Sequence, residues 1–200
     1  MSREALIDAL KREVEACRKC NLWKNRTNVV VGEGPLNAEI MLIGEAPGKV
    51  EDETGRPFVG PAGKLLDTLL LEAGLRREEV YITNIVKCRP PGNRDPSDYE
   101  VKACTPYLER QILIIRPRVI VALGRHSAAW LYSRAGLKFR SITRERGGVH
   151  RIVLGYPLLG DYVKAYLIPT LHPASALYNP SYRVLIMEDL KLAAQLIKKG

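Results

Sequence analysis

The sequence predicts an α/β protein with a mostly parallel sheet covered by helices on both faces. Four short apolar runs, at residues 39–43, 80–86, 118–123 and 165–171, read as buried strands. Helical patterns separate them, and alternation of strand and helix is the pattern of a parallel sheet. Polar loops rich in Gly and Pro follow three of the strands, at 44–60, 84–96 and 171–180. Sheets of this kind gather their working residues at those ends.

Residues 3–16 form an amphipathic helix with Leu6, Leu10 and Val14 on one side. The first strand, Glu39 to Ile43, ends at Gly44. A helix from Ala62 to Ala73 turns Leu65, Leu66, Leu69 and Leu70 inward and stops at Gly74. Val80 to Val86 is the second strand. Ser97, with Glu100 three residues on, is a capping box opening a helix to about Ile115. Arg118 to Leu123 is the third strand, followed by a helix from His126 to Ala135. Residues 141–165 are mixed: basic and Gly-rich from Arg144 to Gly148, then β-prone. Ala165 to Leu171 is the fourth strand, and Tyr182 to Lys198 a closing helix. With no internal repeat or linker, residues 1–200 are expected to form a single domain.

Apolar residues make up 46% of the chain, enough for a core without obligatory cross-links. The 31 Lys and Arg against 22 Asp and Glu leave a net charge of +9. That balance favours polyanionic partners, nucleic acid above all. The N-terminal residues lack the apolar centre of a secretory signal. No apolar run is long enough to span a membrane, so no membrane association is expected. The chain reads as intracellular, where thiols stay reduced.

The four cysteines fall into two pairs: Cys17 and Cys20 as C-x-x-C, then Cys88 and Cys104. Four thiolates suit tetrahedral zinc or one cubane iron–sulfur cluster, and spacing alone does not separate the two. Unrelated buried cysteines or two disulfides are the plain alternative. The C-x-x-C-x-x-C run of ferredoxins is absent. A site gathered from these distant segments would tie the N-terminal helix to the loop after the second strand, which is a structural role.

The loops carry the chemistry. Gly44-Glu45-Ala46-Pro47-Gly48 directly follows a strand, and its glycines allow backbone N–H groups to approach a ligand. It is not the dinucleotide fingerprint, and Gly60-Pro-Ala-Gly-Lys64 lacks the spacing of a phosphate-binding P-loop. Phe58 lies in a polar loop where a base could stack on it. Asn84 ends the second strand, and its amide can read a base edge in a bidentate way. His172 ends the fourth strand, where it could donate to an oxyanion or act as an acid. His126 and His150 read as structural.

In order along the chain, Cys17-x-x-Cys20, Gly44-Glu-Ala-Pro-Gly48, Thr54-Gly-Arg-Pro-Phe-Val-Gly60, Thr83-Asn-Ile-Val-Lys-Cys-Arg-Pro-Pro91, Cys104 and His172-Pro-Ala-Ser resemble the family 4 uracil-DNA glycosylases, the thermostable iron–sulfur branch of their superfamily. The resemblance covers nearly the whole chain. It implies an α/β/α sandwich with a central four-stranded parallel sheet, and a structural [4Fe-4S] cluster on Cys17, Cys20, Cys88 and Cys104. It implies hydrolysis of the bond between uracil and deoxyribose in DNA, with the base flipped out of the stack. Phe58 would stack on uracil, Asn84 would pair with its O4 and N3–H, and Glu51 would lie near C5 to exclude thymine's methyl.

Uracil would leave with negative charge on O2. His172, with backbone groups of the Glu45–Ala46 turn, is the candidate donor there. Ala46, Pro47 and Gly48 complete the substrate-binding turn. In the best-known branch an Asp occupies the position of Ala46, so that base is missing here. Glu45 is left to orient water or stabilise the sugar cation. The candidate phosphate contacts are Lys64, Lys87, Arg89, Arg94 and the Arg144–Arg146 stretch, and Leu177 or Tyr178 would fill the vacated stack.

The expected partner is uracil-containing DNA, met by a monomer that is cytoplasmic and nucleoid-associated. A sliding clamp is a further candidate partner. The basic Lys191–Lys199 end offers it a surface, although a solvated helix face is the simpler reading. Three alternatives remain at this level: a family 5 type enzyme with a broader base range, a non-catalytic iron–sulfur nucleic-acid-binding protein, and a zinc-bound hydrolase of small nucleotides. Against the last, the sequence shows no evident cluster of metal-bridging carboxylates or histidines.

Overall fold

A computed structural model describes residues 2–198. Its centre is a five-stranded sheet in the order β2-β1-β3-β5-β4. The strands are β1 (Ile40–Gly44), β2 (Tyr81–Asn84), β3 (Val119–Leu123), β4 (His150–Tyr156) and β5 (Asp161–Thr170). The pairs β1–β2, β1–β3 and β3–β5 are parallel, and these four strands are those read from the sequence. The fifth corrects the expected count. Strand β4 lies in the segment read as mixed, and pairs antiparallel with β5 at the sheet edge. Its burial alternates, with Ile152 and Leu154 inward and Arg151 and Val153 outward. It therefore lacks the continuous apolar signature of the four central strands.

Eight α-helices surround the sheet: α1 (Arg3–Glu15), α2 (Lys49–Thr54), α3 (Pro61–Glu72), α4 (Asp98–Ile115), α5 (Arg125–Arg134), α6 (Ile142–Glu145), α7 (Ser175–Tyr178) and α8 (Tyr182–Lys198). Each long helix begins where its chemistry allows. Ser2 caps α1 by accepting from the Ala5 N–H, and Pro61 sits in the first turn of α3. The expected capping box opens α4. Ser97 Oγ accepts from the Glu100 N–H at 3.3 Å, and the Glu100 carboxylate accepts from the Ser97 N–H at 2.8 Å.

Strand side chains alternate between two cores. Met41, Ile43, Ile120 and Leu167 pack with α1, α4 and α5 through Leu10, Leu108 and Leu131. Ile40, Leu42, Val121 and Ile168 pack with α3 and α8 through Leu66, Leu70, Ile186 and Leu190. Burial of each such side chain is worth about 1.5–3 kcal/mol. This two-sided packing fixes the sheet, and with it the direction in which every parallel strand end points. No described helix is long and apolar enough to cross a membrane. Of the basic end of α8, Lys199 lies outside the described residues.

Candidate active site

A cleft of about 690 Å³ opens at the carboxyl ends of the parallel strands. It is lined from the end of β1 by Glu45 to Gly48, from β2 by Asn84, and from β3 by Leu123 to His126. Leu171 and His172 line it from the end of β5, and Glu51, Phe58, Arg94 and Asp95 come from the loops and from α2. A cleft of this size suits one nucleobase with its sugar.

The base-reading corner is tightly built. Asn84 is buried, and its Oδ1 receives no hydrogen bond. A buried polar atom left unpaired costs about 1–3 kcal/mol, so it marks a place where a donor belongs. Phe58 adopts a positive φ of 48°, rare for a residue with a side chain, and stands 5.7 Å from the His172 ring. Two glycines and one carboxylate hold it there. A Cβ on Gly44 would collide with the Phe58 ring and with Asn84 Oδ1, and one on Gly63 would strike the Phe58 carbonyl. Glu51 Oε1 accepts from the N–H groups of Val59 at 3.1 Å and Gly60 at 2.9 Å, closing the loop behind the ring.

His172 is fixed by its own turn. Its Nδ1 accepts from the Ala174 N–H at 3.1 Å, so the ring proton is on Nε2. Burial pulls its pKa down to about 4, with Glu51 opposing weakly. Near neutral pH the imidazole is therefore uncharged, a hydrogen-bond donor and not a cationic acid. Leu177 and Tyr178 stand at the rim, Tyr178 90% exposed.

Glu45 is half-buried, and burial raises its pKa, with Asp95 adding and His126 and Arg125 opposing. His126 Nε2 lies 3.1 Å from Glu45 Oε2 and 3.0 Å from Asp95 Oδ2. The contact to Glu45 is close but off-axis, leaving Oε2 without an aligned hydrogen bond. The structure thus corrects two readings. His126 is not merely structural, and a carboxylate–histidine cluster does exist, with the three ligand atoms within 4.8 Å of one another. Arg125 Nη2, 3.1 Å from the same Asp95 oxygen, disfavours a cation there. His126 and Asp95 are residues the sequence reading missed. The end of β3 obeys the same strand-end rule as the other three loops, and applying it there would have found His126.

Among the phosphate candidates, Lys64, Arg89 and Arg94 keep at least part of their side chains in solvent. Arg94 is paired to Glu100 through both nitrogens, at 2.8 and 2.7 Å. Lys87 is a correction. It is fully buried, and its Nζ donates to Thr83 Oγ1 and the Asn84 carbonyl, both at 2.7 Å. Burial pulls its pKa down to about 7. It braces Asn84 from behind and is too buried to reach a phosphate. Arg146 is likewise taken, by Asp189 at 2.6 and 3.0 Å, while Arg144 is exposed.

All four cysteines are free and line one small cavity between α1, the loop after β2 and α4. Burial pushes the Cys104 thiol up to about 12 and raises Cys20 and Cys88. Two donors already face the sulfurs: Arg26 Nη1 is 3.2 Å from Cys88 Sγ, and the Lys87 N–H is 3.3 Å from Cys104 Sγ. Four cysteines around one cavity, with three thiols made costly to ionise by burial and two sulfurs supplied with N–H donors, fit a positively charged iron or zinc centre.

A parallel α/β sheet with a base-sized cleft at its strand ends, a buried unpaired amide and a neutral histidine defines an enzyme that handles a flat, amide-edged ligand. Residues 31–191 match the family model of the Uracil DNA glycosylase superfamily. The chain is 51% identical to a type-4 uracil-DNA glycosylase of Sulfurisphaera tokodaii, over 95% of this chain and 84% of that protein. It is 47% identical to the type-4 enzyme of Thermotoga maritima, over 99% and 98%, and 35% identical to the type-5 enzyme of Thermus thermophilus, over 80% and 83%. The chain belongs to the uracil DNA glycosylase superfamily and, within it, to the type-4 uracil-DNA glycosylases.

Proposed function

We propose that this chain hydrolyses the N-glycosidic bond between uracil and deoxyribose in DNA, in single strands and in G·U and A·U pairs. The product is an abasic site that starts base excision repair. The observation that carries this reading is the unpaired, buried Oδ1 of Asn84 beside the Phe58 ring. Uracil inside a duplex is unreachable, so the nucleotide flips into the cleft at a cost of a few kcal/mol. Phe58 stacks on the base. Asn84 Oδ1 accepts from N3–H and its Nδ2 donates to O4. Cytosine has no N3–H and carries a donor in place of O4, so it would leave buried groups unpaired. Glu51 stands where a C5 methyl would intrude.

The C1′–N1 bond breaks through an oxocarbenium-like sugar, and uracil leaves as an anion with charge on O2. The neutral His172 donates from Nε2 to that oxygen, a contact worth ~3–4 kcal/mol by analogy with oxyanion holes. The Ala46-Pro47-Gly48 turn encloses the base. Glu45 faces the sugar, where its carboxylate orients water and offsets the developing positive charge. Lys64, Arg89 and Arg94 grip phosphates, and Leu177 or Tyr178 fills the vacated stack. Cys17, Cys20, Cys88 and Cys104 would hold one [4Fe-4S] cluster, which supplies rigidity to the loop carrying Asn84 and no chemistry at the base. Residues 1–200 act as one domain and as a monomer on DNA inside the cell, with a sliding clamp as a further candidate partner.

The test is incubation with oligonucleotides containing one uracil, without magnesium, followed by alkali. Breaks confined to uracil are expected. Breaks at hypoxanthine or xanthine would point to the broader type-5 range, and no breaks would overturn the reading. Glu45→Gln and His172→Ala should each slow single-turnover excision by two orders of magnitude or more (about 3 kcal/mol).

A further inference from the structure

The role of Glu45 leaves a question that the cleft answers. A carboxylate whose burial works against its charge needs something to hold it in place and ionised, and no backbone donor reaches its Oε2. A polar group in reach is His126, from the first turn of α5, with Asp95 beside it. Its Nε2 has carboxylate oxygens at 3.1 Å from Glu45 and 3.0 Å from Asp95. Arg125 Nε also points at that nitrogen, at 3.1 Å, so Nε2 sits among two carboxylates and a guanidinium.

Resting on the proposed role of Glu45, we propose that His126 is a positioning residue of the reaction: it holds the Glu45 carboxylate against the sugar, while Asp95 holds the imidazole through the same ring nitrogen. The arrangement joins three separate segments at the mouth of the cleft. Glu45 follows β1, where the carbonyls of Gly44 and Glu45 accept from the N–H groups of Ile85 and Val86, so its backbone is fixed by the sheet. His126 follows β3 after Gly124, whose φ of 95° starts α5 abruptly and brings the ring back over the strand end. Asp95 comes from the loop before α4, tied by Arg125 at 3.1 Å.

The charged groups lining the cleft around Glu45 are His126 and Arg125 from α5, Asp95 and Arg94 from the loop before α4, Lys49 and Glu51 from α2, and His172 after β5. Of those, His126 and Arg125 favour the ionised carboxylate and Asp95 opposes it. An off-axis contact at 3.1 Å needs only a small rotation to become a full hydrogen bond when the flipped sugar presses on Glu45.

A double-mutant cycle tests this with single-turnover uracil excision by the whole chain. His126→Ala should slow excision at least tenfold, and His126→Gln, which restores an N–H in the same direction, should recover to within about threefold of the parent. In a Glu45→Gln background His126→Ala should change the rate less than twofold, because the residue it acts through is already disabled. The acid limb of the pH–rate profile, set by ionisation of Glu45, should move to higher pH in His126→Ala, since the group that favours the carboxylate is gone. Asp95→Asn, on an exposed loop and safe for folding, should slow the parent but not the His126→Ala variant. Equal losses in both backgrounds, or an unmoved acid limb, would show a structural role only and overturn the inference. Normal excision by His126→Ala, where Glu45→Gln is crippled, would overturn it while leaving Glu45 in place. Full activity in Glu45→Gln would instead remove the role of Glu45, and the inference with it.

Discussion

At the scale of single residues, the site is a set of close approaches that tolerate no added atom. Gly44 is the clearest. Its missing Cβ is the space in which the Asn84 amide and the Phe58 ring meet. Gly44→Ala should therefore lower uracil excision about a hundredfold, equal to ~2.7 kcal/mol, with far less effect on melting. Comparing single-turnover rates and thermal melts checks this. His172 carries a second consequence. Its pKa is about 4 in the fold, against the ordinary value of 6.5. Between those values the unfolded chain binds more protons, so stability present above pH 6.5 is lost as pH falls toward 4, by about 3 kcal/mol. His172→Gln should flatten this stretch of the stability–pH curve relative to the parent, as denaturant unfolding at pH 7 and pH 4 would read. Which residues were legible follows from the same physics. Phe58, Asn84 and His172 all line the cleft, and the strand-end rule points to them: Asn84 closes β2, His172 follows β5, and Phe58 lies in the long loop region after β1. Lys87 was misread because a lysine in a polar, Pro-rich loop looks solvated. Only the folded chain shows Thr83 and the Asn84 carbonyl folded back onto its ammonium. His126 was missed because its partners Glu45 and Asp95 are 81 and 31 positions away in sequence.

At the scale of elements, periodicity carried the reading and local exposure limited it. The long helices were foreseen to within a residue or so, because apolar spacing and the Ser97–Glu100 box mark their faces and ends. Strand β4 showed in the sequence only as a β-prone stretch, because an edge strand buries only alternate residues and lacks the continuous apolar run of the central strands. The cysteine cavity is also an element-scale device. Cys17 and Cys20 follow α1, Cys88 follows β2, and Cys104 lies within α4, so the proposed centre would staple three elements, two of which, α1 and α4, also share the Glu13–Arg110 ion pair. Cys104→Ala should abolish iron incorporation and lower the melting temperature by about 10 °C or more, consistent with ~3–5 kcal/mol. Iron analysis and thermal melting measure both. A colourless protein loaded with zinc would instead replace the proposed cluster.

At the scale of the whole molecule, charge and topology set how DNA is met. Of the 31 Lys and Arg behind the net charge of +9, many are held in internal ion pairs, as Arg94–Glu100 and Arg146–Asp189 show. Fewer basic groups are free for phosphates than composition suggests. Each phosphate contact contributes about −0.9 to the slope of log K against log salt. Arg89→Ala should reduce the magnitude of that slope by about one for a uracil oligonucleotide, in a binding titration from low to moderate salt. Topology has a consequence of another kind. Strand β5, which delivers His172, lies between β3 and β4 in the sheet, yet is synthesised after both. A nascent chain halted before Asp161 carries Phe58 and Asn84, the residues proposed to read uracil, but not His172, proposed to assist its departure. The order of synthesis thus makes the proposed leaving-group donor one of the last parts of the cleft to be completed.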